Sequence, residues 1–389
     1  MVFDSFDKKS RIITFNVKTY ENNNLIKNDE IYFKFNEDVS VSDNHLAIAL
    51  STFCGQVFDE IYYDLCLSEK IINNISSFTK SNVSASSVDN NMQNFHLGDE
   101  KIMINFSGGM DSLAAKILLG DCAQLVSISF FDREYDFFKK FNPHTLETNF
   151  RQLGYADNDW TFMGVGSILF SNYLNCKYHL FGTILEAYYM QVRKDVSSRK
   201  RYSIMPFCYA GLTDIKLIQG ITEIGTALIV CNSAPYLVND SLISLSPPGS
   251  EKRYRKQLII DILKERFDLN LYIDYVEEPP EERKLIWGNY FAVDFLTFYM
   301  VKYAGIEETS KIMKNIPEEL VDFSNSHELT FYERFNTNYL NNIPPKFKDE
   351  IMKNLLDSKI FPYTQNDFDE LYEVVKFLSK YHPYLEEVL

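Results

Sequence analysis

The stretch KIMINFSGGMDSLAAKILLG, residues 101–120, decides how the chain is read. KIMINF is a short apolar run of the kind that forms a buried strand, and DSLAAKILLG carries apolar residues at helical spacing. Between them stand Ser107, Gly108, Gly109, Met110, Asp111 and Ser112. Two glycines let a backbone approach a ligand closely, and the N–H groups at the start of the following helix point toward an anion that the helix dipole also favours. The hydroxyls of Ser107 and Ser112 add donors for phosphate oxygens. Asp111 would repel a phosphate by itself, and it makes sense as a ligand of Mg²⁺ shared with the phosphates. The string is not the GxxxxGK[ST] phosphate loop. The plainer reading is a tight strand-to-helix turn with Asp111 as a favourable charge in the first helical turn.

Outward from this loop the rhythm is α/β. KIMINF, QLVSISFF, KYHLFGT and TALIV read as buried strands. DSLAAKILLG, FNPHTLETNFRQLG, SILFSNYL and LTDIKLIQGITEIG read as helices between them. Such alternation implies crossover connections and a parallel sheet. Ahead of it, RIITFNVKTY and EIYFKFNED flank the turn-rich ENNNLIKND and predict a β-hairpin over 11–36. From Ser42 or Asp43, either able to cap, an apolar stripe through residue 75 predicts one or two helices. TKSNVSASSVDNNMQNFHLGDE, 79–100, is rich in Ser and Asn and poor in large apolar residues, which predicts a mobile linker. After about Arg253 only helical patterning is visible, broken at Pro279–Pro280 and Pro344–Pro345. The expected organisation is an α+β N-terminal domain (1–98), a parallel-sheet nucleotide-binding domain (99–250) and an α-helical C-terminal region (251–389).

Composition narrows the function. The chain has 389 residues, 39 Lys and Arg against 54 Asp and Glu, and a formal charge of −15, so a nucleic-acid backbone is a poor partner unless basic residues gather locally. No segment supplies the roughly 18 uncharged residues that span a bilayer, and the start has no long apolar run, so the expectation is a cytoplasmic protein. Six cysteines are scattered without a CxxC pair, which predicts small core hydrophobes rather than a zinc or redox centre. None of the six histidines is assigned a role.

The SGGMDS string in this strand–loop–helix setting resembles the PP-loop ATP pyrophosphatase superfamily, over about residues 100–235. The resemblance implies a HUP-like fold, ATP bound with its pyrophosphate on Ser107–Ser112, and transfer of AMP to an oxygen of the acceptor followed by displacement of AMP by a nucleophile. Met205-Pro206-Phe207 and AGLTDIKLIQGITEIGTALIVCNS are similar to the 7-cyano-7-deazaguanine synthase branch at Leu212, Thr213, Lys216, Gly225 and Ser233. The zinc-binding cysteines of that branch are missing, and FFDREYD stands where it has a different motif. The resemblance therefore points to a divergent relative, of the kind thought to serve in antiphage defence by modifying a partner protein.

Further candidates follow from placement. Phe130, Phe131 and Asp132 end the second strand of the parallel series, at the edge where such sheets bind ligands, which predicts contact with the adenine or ordinary core packing. Gly182 allows close approach, while Thr183 or Glu186 faces substrate or ribose, or Thr183 caps a helix. Two basic runs, Arg193 to Arg201 and Lys252, Arg253, Arg255 and Lys256, predict either solvated faces, a mobile lid over pyrophosphate, or a docking site. No glutaminase region is expected ahead of the loop, since position 2 is Val2 and about 100 residues are too few. The expected chemistry is adenylation of a small-molecule carboxylate by ATP and Mg²⁺, with Asp111 holding the metal, Ser112 on the phosphates and Lys216 or Arg253 neutralising the leaving group. A nitrogen nucleophile then completes an amide-type or nitrile product. A non-enzymatic ATP or AMP sensor and an RNA-thiolation enzyme are the alternatives, and an acceptor protein or a second copy of the chain are the partners left open.

Overall fold

The computed structural model describes residues 1–92, 98–130, 137, 139–193, 204–245, 248–273, 278–281 and 285–389. The fold is α/β, with a ten-stranded, mostly parallel sheet and many helices. The chain divides into two compact units. The first takes in the described residues of Met1–Ser107, Asp121–Phe181 and Tyr202–Ile215, and the second those of Gly108–Gly120, Gly182–Arg201 and Lys216–Leu389.

The whole ten-stranded sheet lies in the first unit. Its strands are β1 (Val2–Lys9), β2 (Ile12–Glu21), β3 (Asn24–Phe35), β4 (Glu60–Leu67), β5 (Asn82–Val88), β6 (Asp99–Asn105), β7 (Ala123–Ser129), β8 (His144–Thr148), β9 (Cys176–Leu180) and β10 (Thr213–Asp214). They run in the order β10-β9-β6-β7-β8-β3-β2-β1-β4-β5. The expected hairpin is β2–β3, turned at Asn22 and Asn23 with φ of 49° and 65°, the paired left-handed residues that match strand twist in a two-residue turn. Alternation along it buries Ile13, Phe15 and Val17 beside Ile31, Phe33 and Phe35. β1 escapes sequence reading because Ser5, with φ of 57°, and a register shift between Asp4 and Asp7 interrupt its alternation.

Four expectations need correction. The stripe after Ser42 is a helix Asp43–Ser51 capped by Ser42, then β4, then a helix Glu69–Thr79. In β4 the residues Ile61, Tyr63, Leu65 and Leu67 are buried at period two, the signature of a strand. The Ser-rich linker contains β5, an edge strand that buries Val83 and turns its serines outward; residues 93–97 lie outside the described residues. FNPHTLETNFRQLG contains β8 rather than a helix, since Pro143 removes a helical donor and Thr145 and Thr148 favour extended backbone. TALIV belongs to a helix, Glu223–Ser233, and LTDIKLIQGITEIG to β10, a loop and that helix's first turn. Every residue from Glu223 to Cys231 is buried, so the helix has no polar face to reveal its period.

The separate N-terminal domain is also revised. β8 pairs antiparallel with β3 and parallel with β7, so residues on both sides of position 98 share one sheet. β6 lies between β7 and β9, which makes its carboxyl end the point where strand order reverses, the usual ligand position in open α/β sheets.

The second unit gathers the helix Met110–Leu119 that follows the glycine loop, the Glu223–Ser233 helix, and the helical C-terminal region: Glu251–Arg266, Phe291–Thr309, Glu318–Ser326, Pro345–Asp357 and Gln365–Leu378. The last begins with a reciprocal cap between Thr364 and Asp367. Outside the helices, Leu285–Ile286 and Met313–Lys314 form a short parallel pair. Asn354 Nδ2 donates to Leu118 O at 2.9 Å, joining the C-terminal helices to the helix after the loop. A boundary at 250 therefore does not separate the loop from the C-terminal region. Among the described residues, no helix is long and apolar enough to cross a membrane.

Candidate functional site

The chain leaves β6 at Asn105, and from Gly108 onward the loop belongs to the second unit. Gly108 has φ of 75°, a conformation that a side chain resists. Ser241 Oγ donates to its carbonyl at 3.1 Å. Gly109, extended at φ −72° and ψ 160°, is the N-cap of Met110–Leu119. The first amides of that helix have no intrahelical acceptor, which makes this turn an anion-facing end. Met110 points into the core, fully buried. The Ser112 hydroxyl, expected on a phosphate, donates to Gly109 O at 3.0 Å, and the residue is buried. Gly182 packs against the same turn: a Cβ there would lie 2.9 Å from Ser112 N and 3.0 Å from Asp111 C. Thr183 follows in the loop before a short 3₁₀ turn whose N-cap is Ile184, not Thr183.

Asp111 is held by groups from two other helices. Thr226 Oγ1 donates to Asp111 Oδ1 at 2.7 Å, and Lys256 Nζ lies 3.4 Å from the same oxygen. Lys256 also stands 3.4 Å from Glu223 Oε1, on which Arg255 Nη1 makes a short ion pair. Glu223 N–H donates to Glu186 Oε1 at 2.7 Å. These side chains are buried except that of Asp111, which is 30% exposed. Burial would raise the Glu223 carboxyl, but Arg255 and Lys256 hold it well below the usual carboxylate range. Glu186 lacks such a partner. Burial pushes it up to about 8, with the neighbouring charges of Glu223 and Asp111 adding to the rise, and its Oε2 has no hydrogen-bond partner among the described residues.

Several expected residues are elsewhere or differently used. The run from Lys252 to Lys256 is no mobile lid: it forms the first turns of the Glu251–Arg266 helix, with Arg253, Arg255 and Lys256 buried. The cation that reaches Asp111 is Lys256. Arg253 is buried on the same helix, and Lys216 is half-buried in the loop between β10 and Glu223–Ser233. Phe130 sits in the aromatic core of the first unit, edge-on to Phe150 at 5.3 Å and to Phe162 at 6.3 Å, so its ring is taken up by packing. Phe131, Asp132, Lys194, Arg199, Lys200 and Arg201 lie outside the described residues. Glu223 and Thr226 were concealed inside a segment read partly as a strand.

Asp111 fits a hard cation in a particular way. Among the described residues, Thr226 and Lys256 both contact Oδ1, the side chain is partly exposed, and Mg²⁺ is commonly held by one or two carboxylates together with substrate phosphates. Among the described residues no group of three or more His, Cys, Asp and Glu is placed to hold a metal alone. Asp111 thus suits a metal held jointly with a phosphate ligand. Compared with protein-family models, curated proteins and solved structures, the chain finds no match.

Proposed function

We propose that the chain is a cytoplasmic, ATP-dependent synthetase of the PP-loop type, which adenylates a carboxylate, releases pyrophosphate and passes the acyl group to a nitrogen nucleophile with release of AMP. The observation that carries this reading is the Gly108–Ser112 turn, where a positive-φ glycine opens a helix beside a partly exposed carboxylate that a buried cation already contacts. The first-turn amides hold the β- and γ-phosphates, and Gly182 leaves room for no side chain that would push the turn aside. Asp111 would hold Mg²⁺, whose charge stabilises the departing pyrophosphate. The Arg255–Glu223 pair fixes Lys256 beside the loop, so that positive charge is in place before charge builds on the leaving group. A small-molecule or protein-borne carboxylate, as in a deazaguanine-synthase-like defence enzyme, is the acceptor class.

Asp111→Asn tests the proposal. The amide keeps an acceptor for Thr226 but loses the charge, which costs about 1–2 kcal/mol of stability through Lys256. Pyrophosphate release should drop roughly 10³-fold. Unchanged release of pyrophosphate in a folded variant would reduce Asp111 to a helix-end charge.

A further inference from the structure

Lys256 is among the largest side chains that the fold buries completely, at 1% exposure. Placing an ammonium there is costly unless it is paired. Its two partners among the described residues, Glu223 and Asp111, are unequal. Glu223 is itself buried, fixed by Arg255 and by its own backbone N–H on Glu186. Asp111 is partly open, and the hydroxyl of Thr226 contacts the same oxygen that faces Lys256. One end of the pairing is permanent and the other is exposed to whatever enters the loop. A divalent ion at the Asp111 carboxylate and the Lys256 ammonium are like charges competing for one carboxylate, and a lysine has a flexible stem and a compact head that can change partner without leaving its tether.

Resting on the nucleotide reading above, we propose that Lys256 is a catalytic residue of this site. It stands in for the metal at Asp111 while the loop is empty, and trades Asp111 for a phosphate oxygen, still tethered to Glu223, when metal and nucleotide bind together. The loop then has little affinity for a free divalent ion and takes one only with the phosphates that give Lys256 a new partner.

The test uses Mn²⁺ as the probe, titrated into the full chain with and without ATP, on wild type, Lys256→Met and Lys256→Gln. The glutamine variant keeps hydrogen-bond donors toward Asp111 and Glu223 and serves if the methionine variant does not fold. Expected is a gain of roughly tenfold or more in affinity for Mn²⁺ alone when the competing charge is removed. Pyrophosphate release should fall roughly 10²- to 10³-fold, the scale of losing one preorganised charge contact. Lys256→Arg, which keeps the charge, should leave affinity for free Mn²⁺ low. If wild type binds Mn²⁺ with ATP but affinity for free Mn²⁺ in the neutral variants stays within twofold of wild type, Lys256 is a packing residue and the inference falls. If wild type binds no Mn²⁺ with ATP, the nucleotide reading itself fails and takes the inference with it.

Discussion

Adding one methyl group at Gly182 probes the loop without touching a charge. In Gly182→Ala the new Cβ would stand 2.9 Å from Ser112 N, 3.0 Å from Asp111 C and 3.1 Å from Asp111 Cβ. Ordinary contacts of a Cβ begin at about 3.4 Å, so each approach is short by a few tenths of an ångström. Two of the three atoms are backbone in the first turn of Met110–Leu119, which cannot rotate aside. Either the turn moves or the segment after β9 retreats, at about 1–3 kcal/mol. A displacement on this scale also tilts the amides and the Asp111 carboxylate, and misplacement by about 1 Å is enough to cost roughly 10² in rate. Thermal unfolding should show a modest loss of stability, while pyrophosphate release falls by one to two orders of magnitude. Gly154→Ala is the control: its φ of 81° imposes backbone strain, yet the methyl meets nothing within 4 Å, so stability should fall by about 1 kcal/mol with activity retained. Equal activities for the two variants would show that the turn at Asp111 and Ser112 has no part in the chemistry.

Two further substitutions separate roles by what they leave intact. Glu186 keeps its proton in the fold, since burial raises it from 4.5 to about 8. Its contribution is therefore full below pH 4.5 and is lost as pH rises through about 8, an effect of a few kcal/mol. Glu186→Gln still accepts from Glu223 N–H and should flatten that decline in urea midpoints measured from pH 5 to 9; a variant whose curve runs parallel to wild type would refute the assignment. Phe130→Leu should cost about 1–2 kcal/mol by loosening contacts with Phe150 and Phe162, with affinity for ATP unchanged. A severalfold loss of ATP affinity at unchanged stability would restore Phe130 to the adenine.

What was legible in the chain is what is local. The Ser42 cap is written in neighbouring residues, as its hydroxyl accepts from His45 N–H three positions on. Asn22 and Asn23 announce the hairpin by their tolerance of positive φ, and the strand–glycine–helix order around Ser107–Ser112 is read directly. The Glu223–Ser233 helix was missed because burial on all sides erased its period. β8 was missed because five residues are too few to display one. The contacts of Asp111 could not be read at all: Thr226 is 115 positions away and Lys256 is 145. A basic run near a proline-rich turn looks the same in sequence whether it is a solvated face or, as here, the buried start of a helix.

That burial also alters what the net charge means. A chain of formal charge −15 gains nothing from long-range steering of an anionic ligand, and beyond about 10 Å salt screens even its repulsion. Affinity for a nucleotide must come from charges presented at contact distance in a poorly solvated place, where each is worth several times its value in water. Arg255 and Lys256 supply such charges, yet each is already paired with Glu223, and Lys256 with Asp111. Those two cations match Glu223 and Asp111 one for one, and Lys252 on the same helix adds a further positive charge within the field of both carboxylates. A phosphate ligand arriving without a cation would add negative charge beside Asp111. A metal arriving alone would add positive charge beside Lys256. On the proposed reading, metal and nucleotide arriving together offset much of each other's charge, which would couple the binding of one to the binding of the other.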